Sequence, residues 1–199
     1  MLWILITILA SLSQTLRSVS QKNIINEVGV INSAYSRFIF ALPFSFLLLI
    51  FFIPYNDPIF LESTKPSTLS WLFLASICQI LFTVLLIKLF TLRSFAIGIA
   101  FSKTEVIQTT ILEILILGFI LTTQLFVAIL IGFVGVLFIS KLKLFSSFTE
   151  KKILTKQVII GVFCGIFLGL SSVLYKASLD NISGVFLYKK VITLSCFAL

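Results

Sequence analysis

Six blocks of roughly twenty apolar residues, divided by short polar seams, run through this chain, and a seventh block opens after Lys190. A helix needs about 20 such residues to cross the hydrocarbon core of a bilayer. Lipid offers no water to an unpaired N–H or C=O, so open strands and irregular segments are excluded there. The pattern predicts an all-α, polytopic integral membrane helix bundle. Spans are expected at about Leu2 to Ser20, Ile31 to Ile53, Leu69 to Phe90, Phe95 to Leu117, Leu121 to Ser140 and Val158 to Leu179. The run Val191 to Leu199 is too short to cross and has no polar cap, so we read it as a truncated seventh span and expect the chain to be a fragment.

Composition removes the main alternatives. Hydrophobic residues make up 59% of the chain and charged residues 11%, whereas a soluble domain carries about 25% charged residues. No water-soluble core could hide so much apolar area, so the expected partner is the lipid bilayer. The net charge of +8 would suggest nucleic acid in a soluble protein. Here the lysines cluster in seams beside the spans, where topology bias accounts for them, and no nucleic-acid partner is expected. The first block lacks a basic leader and carries Ser11, Ser13, Gln14, Thr15, Arg17 and Ser18, which is unlike a cleaved signal peptide. Cys78, Cys164 and Cys196 lie inside apolar blocks without CxxC spacing, so neither disulfide, metal nor other cofactor is implied.

The seams suggest how the chain is organised. Pro54, Asn56, Asp57, Pro58 and Pro66 make the second seam the most turn-like. The fifth, Lys141 to Gln157, carries five lysines against Glu150 and is the natural boundary between units. We therefore divide the chain into a five-helix unit at 1–140, a basic linker at 141–157 and the opening of a second unit at 158–199. Leu12-Ser13-Gln14-Thr15-Leu16-Arg17-Ser18-Val19-Ser20 is echoed by Leu170-Ser171-Ser172-Val173-Leu174-Tyr175-Lys176-Ala177-Ser178. Likewise Tyr35-Ser36-Arg37 near the start of the second span matches Tyr188-Lys189-Lys190 near the start of the seventh. An odd number of spans per unit makes the second enter from the opposite face, the inverted-repeat plan of many secondary transporters.

From Glu105 to Val136 the sequence resembles the end of an EamA domain of the drug/metabolite transporter superfamily. In that family a Glu-Pro-Val on the fourth span is followed fourteen residues later by the Glu of a Leu-Gly-Glu turn, then by a span with a Gln, a Gly and a Gly-Val. This chain has Glu105-Val106-Ile107, then Leu117-Gly118-Phe119, then Gln124, Gly132 and Gly135-Val136. The spacing is kept, while Val106 replaces the proline and Phe119 the turn glutamate. The resemblance covers one five-span unit and the start of a second. It implies transport of small metabolites, amino acids and related solutes included, in a plasma membrane such as the bacterial inner membrane.

Polar residues inside the spans are the candidates for binding a solute. Ser11, Gln14 or Thr15, and Ser18 recur with Thr7 at helical spacing and form one stripe on the first span. Such a stripe either lines a wet cavity or bonds within its own helix and to neighbours. Asn32, Ser33 and Ser36 could extend the same wall, and Ser171 and Tyr175 are candidates from the echoing segment of the sixth span. An ionisable group deep in a span is by default functional and has a partner, which singles out Arg37, Lys103, Glu105 and Glu113. At about 1.5 Å per residue, Arg37 and Glu105 reach similar depths on spans that run in the same direction. They are expected to pair, either as a structural ion pair or as a solute or coupling-ion site. Glu113 and Lys103 can instead reach water at opposite faces. Gly161, Gly165 and Gly169 on the sixth span, and Gly132 with Gly135 on the fifth, read as close-packing positions.

Three function classes remain open. A transporter using alternating access would hold its solute among polar groups of the first, second, fourth and sixth spans, with a proton or sodium ion as coupling partner and Glu105 as its carrier. The cluster of Arg17, Arg37, Lys88 and Lys103 hints at an anionic or zwitterionic cargo. A membrane-embedded enzyme would need a reacting constellation, yet the chain has no histidine, no paired acidic motif within a span and no phosphate loop; its catalytic part would have to lie elsewhere. The third class is a non-transporting scaffold or degenerate homologue. Arg17, Lys22, Lys88, Arg93 and the five lysines of the fifth seam fall on one side, and Lys65, Lys176, Lys189 and Lys190 on the other. The positive-inside rule then puts the first, third and fifth seams in the cytoplasm.

Overall fold

The computed structural model describes residues 2–52, 66–91, 104–144, 151–182 and 187–198. Among them are seven helices and no strand: α1 (Leu2–Val28), α2 (Val30–Phe52), α3 (Pro66–Phe90), α4 (Glu105–Leu117), α5 (Thr123–Leu144), α6 (Lys151–Asp180) and α7 (Leu187–Phe197). Segments Val30–Phe51, Ser67–Phe90 and Val158–Asp180 are long and apolar enough to cross a bilayer. They coincide with the expected second, third and sixth spans. The chain is an integral membrane protein of helical fold. Its outer surface fits that setting, because large apolar side chains such as Leu16 on α1, Phe40 and Phe51 on α2 and Phe138 on α5 stand exposed. Water would not tolerate so continuous an apolar surface.

The first seam is no loop. α1 continues as helix to Val28, and Gly29 alone turns the chain into α2. Its φ of 83° lies in the left-handed region that glycine enters without a Cβ clash, and its N–H still bonds the Ile25 carbonyl at 2.9 Å. α2 passes through Pro43 without a break. α4 ends on Gly118, which at φ 64° returns its N–H to the Glu113 carbonyl. Helix covers both ends of the 141–157 segment, since α5 runs on to Leu144 and α6 begins at Lys151. The Pro54 to Pro58 seam and the first half of the predicted fourth span, with Arg93 and Lys103, lie outside the described residues.

α6 is the axis of the bundle. It packs antiparallel to α3, as successive contacts show: Cys164 Sγ lies 3.8 Å from the Phe82 carbonyl, Ser171 donates to Gln79, and Ser178 Oγ reaches the Thr68 carbonyl at 3.5 Å. Ala75, Cys78 and Leu174 fill the seam between these two helices. α4 lies parallel to α6 on another side, with Gln108 against Val162 and Glu113 against Lys176. Two glycines allow that approach. A Cβ on Gly165 would stand 2.5 Å from Gln108 Oε1, and one on Gly169 would stand 2.8 Å from Thr109 Oγ1 and 3.2 Å from its backbone nitrogen.

Gly132 and Gly135 differ from the expectation of close packing. Among the described residues nothing comes within 4 Å of a Cβ built at either position, because α5 meets only the edge of α4. At one end of the bundle Ile25, Ala34, Ile87 and Phe90 join α1, α2 and α3. At the other, Leu72, Ile182 and Leu194 bring α7 onto α3 and the end of α6.

Candidate functional site

Between these two ends a cavity of about 390 Å³ opens among α1, α2, α3, α6 and α7. Its apolar wall comes from Phe38, Ala41, Leu179, Val191, Leu194 and Ala198, and its polar groups are Arg17, Arg37, Gln79, Tyr175 and Ser195. The volume is that of a small-molecule pocket.

Each polar group is positioned by its own helix. Arg37 stands two turns into α2 and lies over the Phe82 ring of α3, 5.7 Å from its centroid. A ring face attracts the cation but has no lone pair for the five N–H donors of a guanidinium. Arg17 projects from α1 close enough for its charge to act on Arg37. Ser171, 1% exposed on α6, donates to Gln79 Oε1 at 2.8 Å. That bond occupies the carbonyl end of the amide and leaves its NH₂ as donor. Tyr175, one turn farther along α6, lines the same cavity. Among the described residues neither arginine has an ion-pair partner, and no carboxylate lines the cavity. An arginine held at the centre of a membrane helix costs about 2.5–3.5 kcal/mol on insertion scales, so two of them in one cavity mark a place where the fold gives up stability.

The expected residues divide into groups. Arg37 and Tyr175 line this cavity, and Ser171 bonds Gln79 from behind its wall. Ser11, Thr15 and Ser18 turn back onto their own helix, bonding the carbonyls of Ile8, Ser11 and Gln14 at 2.8, 2.8 and 2.9 Å. With Gln14 they form an outer stripe of α1, and that helix sends Arg17 into the cavity instead. Ser36 also bonds a carbonyl of its own helix, and Asn32 donates across the Gly29 turn to the Val28 carbonyl at the end of α1. Glu105, at the start of α4, forms no ion pair with Arg37. Cys164 lies within electrostatic range of both. Lys103 is outside the described residues.

Glu113 does not simply reach water. Lys176 of α6 donates to its Oε1 at 2.5 Å, and the same ammonium lies 4.9 Å from the centroid of the Phe119 ring. Phe119, which stands where the related motif has a glutamate, thus faces a cation with a ring instead of a carboxylate. Gln79 and Ser195 line the cavity without having been expected there. Gln79 carried a signal: a lone amide between Cys78 and Ile80, deep in a span, needs a partner.

No curated protein and no solved structure matches the chain. The family model described as "EamA-like transporter family" matches residues 1–141, about seven-tenths of the length. That stretch supplies the two arginines, Phe82 and Gln79, and ends where α5 runs out toward α6. The chain belongs to the EamA-like transporter family.

Proposed function

We propose that this protein is a secondary transporter of small organic solutes, amino-acid-like compounds among them, that works by alternating access, with the cavity between α1, α2, α3, α6 and α7 as its solute site. The observation that carries the reading is the meeting of Arg17, Arg37, Gln79 and Tyr175 in one metabolite-sized, otherwise apolar cavity. Its walls come from both sides of the 141–157 boundary, and transporters built of repeats bind their solutes between those repeats. Arg17 and Tyr175, which occupy corresponding positions of the internal echo, both line it.

The helix directions support six crossings followed by the start of a seventh, in a ten-helix inverted-repeat plan. Alternate spans run parallel and successive odd and even spans antiparallel, as α4 with α6 and α3 with α6 do here. In this reading residues 1–140 form the first unit and 158–199 open the second. Glu105 is the carrier we assign to a coupling proton or sodium ion, and the bacterial inner membrane is the setting.

A bulky residue in the cavity wall tests the assignment. Ala41→Trp in the full-length protein, reconstituted in proteoliposomes, should abolish saturable solute uptake while leaving the protein monodisperse and helical. Undiminished uptake by that variant would remove the cavity from the transport path.

A further inference from the structure

We propose that the solute of this cavity is a small organic dianion, held between the guanidinium groups of Arg17 and Arg37; the inference rests on the cavity being the solute site. Arg17 and Arg37 both line the cavity, and among the described residues no carboxylate lines it to balance their charge. The Phe82 ring neutralises none of that charge and takes no N–H donor from Arg37. What is missing is a group with two negative charges and several acceptor lone pairs.

The remaining polar groups agree in kind. Ser171 holds the carbonyl end of Gln79, which turns the amide's donor end to the ligand, and the Tyr175 hydroxyl lies on the same wall. An amine would find no counter-charge in such a wall, so a zwitterion would bind with its ammonium uncompensated. Guanidinium forks match the planar or tetrahedral oxygens of carboxylate and phosphate. A dicarboxylate and a phosphate monoester share the required chemistry, and both fit the volume.

The test uses full-length protein in nanodiscs, with binding measured directly against succinate, glycerol 3-phosphate, alanine and putrescine. One or both dianions should bind, with alanine and putrescine at least tenfold weaker, and the two dianion arms identify which anionic group is preferred. Arg17→Gln and Arg37→Gln should each weaken dianion binding at least tenfold, while Arg37→Lys, which keeps the charge and loses the fork, should retain part of it. Lys22→Gln, a charge loss on α1 outside the cavity, should bind as the unaltered protein does. Equal or tighter binding of alanine, no binding of either dianion, or dianion binding indifferent to both arginine substitutions would overturn the proposal. Ala41→Trp separates the two failures. If alanine binds tightly and that binding is lost in Ala41→Trp, the cavity stands and the dianion falls. If dianion binding survives Ala41→Trp, the cavity assignment falls with it.

Discussion

Ser171 shows how a buried hydroxyl can act at a distance of one side chain. It does not line the cavity; it fixes Gln79, which does. Replacing it by alanine removes one buried hydrogen bond, a loss of about 0.5–1.5 kcal/mol, and lets the amide rotate. Ser171→Ala should therefore lower thermal stability in detergent slightly and raise the KM of uptake severalfold with little change in its maximal rate; an unchanged KM would show that Gln79 needs no such anchor. At this scale the sequence was legible where a residue has no bland alternative. Arg37 stood out because a charge at that depth needs a partner, and it lines the cavity. The stripe Ser11, Thr15 and Ser18 takes the second of its two readings, because short hydroxyls satisfy themselves on the carbonyl three or four residues back; periodicity alone does not separate the two. The expected Arg37–Glu105 pair does not form for a related reason: equal depth on parallel helices does not fix rotation about each axis.

At the scale of the element, identical sequence signals have different structural meanings. Gly165 and Gly169 recur on α6 at a spacing of four and let α4 come within van der Waals range of its backbone. Gly132 and Gly135 on α5 look much alike in sequence, yet open space surrounds them among the described residues. A glycine stripe announces that a close approach is possible and does not name the approaching helix. The two cases separate under substitution. Gly169→Ala would press its Cβ against Thr109, whose backbone nitrogen and Cα lie 3.2 and 3.3 Å away, and overpacking of this kind costs about 1–3 kcal/mol. Gly165→Ala should cost less, because its nearest neighbour is the movable end of the Gln108 amide. Gly132→Ala should be neutral or raise stability by up to about 1 kcal/mol through helix propensity. Melting temperatures of the three variants in one detergent check the order, and a loss at Gly132 as large as that at Gly169 would mean that α5 has a close neighbour of its own.

For the molecule as a whole, the helical character was plain from block length, while the ends of the helices were not. The seam after the first block holds Gln21, Lys22, Asn23, Asn26 and Glu27, polar enough to read as loop, yet all of them stay in α1 until Gly29. Polar residues at the rim of a span meet headgroups and water, where a helix is as well solvated as a loop. The packing at the two ends of the bundle gives the side of each seam without reference to charge. Ile25, Ala34, Ile87 and Phe90 put the end of α1, the start of α2 and the end of α3 together; Leu72, Ile182 and Leu194 put the start of α3 with the end of α6 and with α7. Lys22 and Lys88 therefore share one side and Lys176 belongs to the other, as the charge pattern requires. With α5 and α6 continuing the alternation, the lysines from Lys141 to Lys156 join Lys22 and Lys88. Basic residues within about 15–20 residues of span ends set orientation, so the side that carries this excess should be cytoplasmic. A cysteine introduced between α5 and α6 as Ser147→Cys, in a background with Cys78, Cys164 and Cys196 replaced by alanine, should resist a membrane-impermeant maleimide in intact cells and react once the membrane is opened. Strong labelling of intact cells would reverse the orientation and put the cytoplasm at the Lys176 end of the bundle.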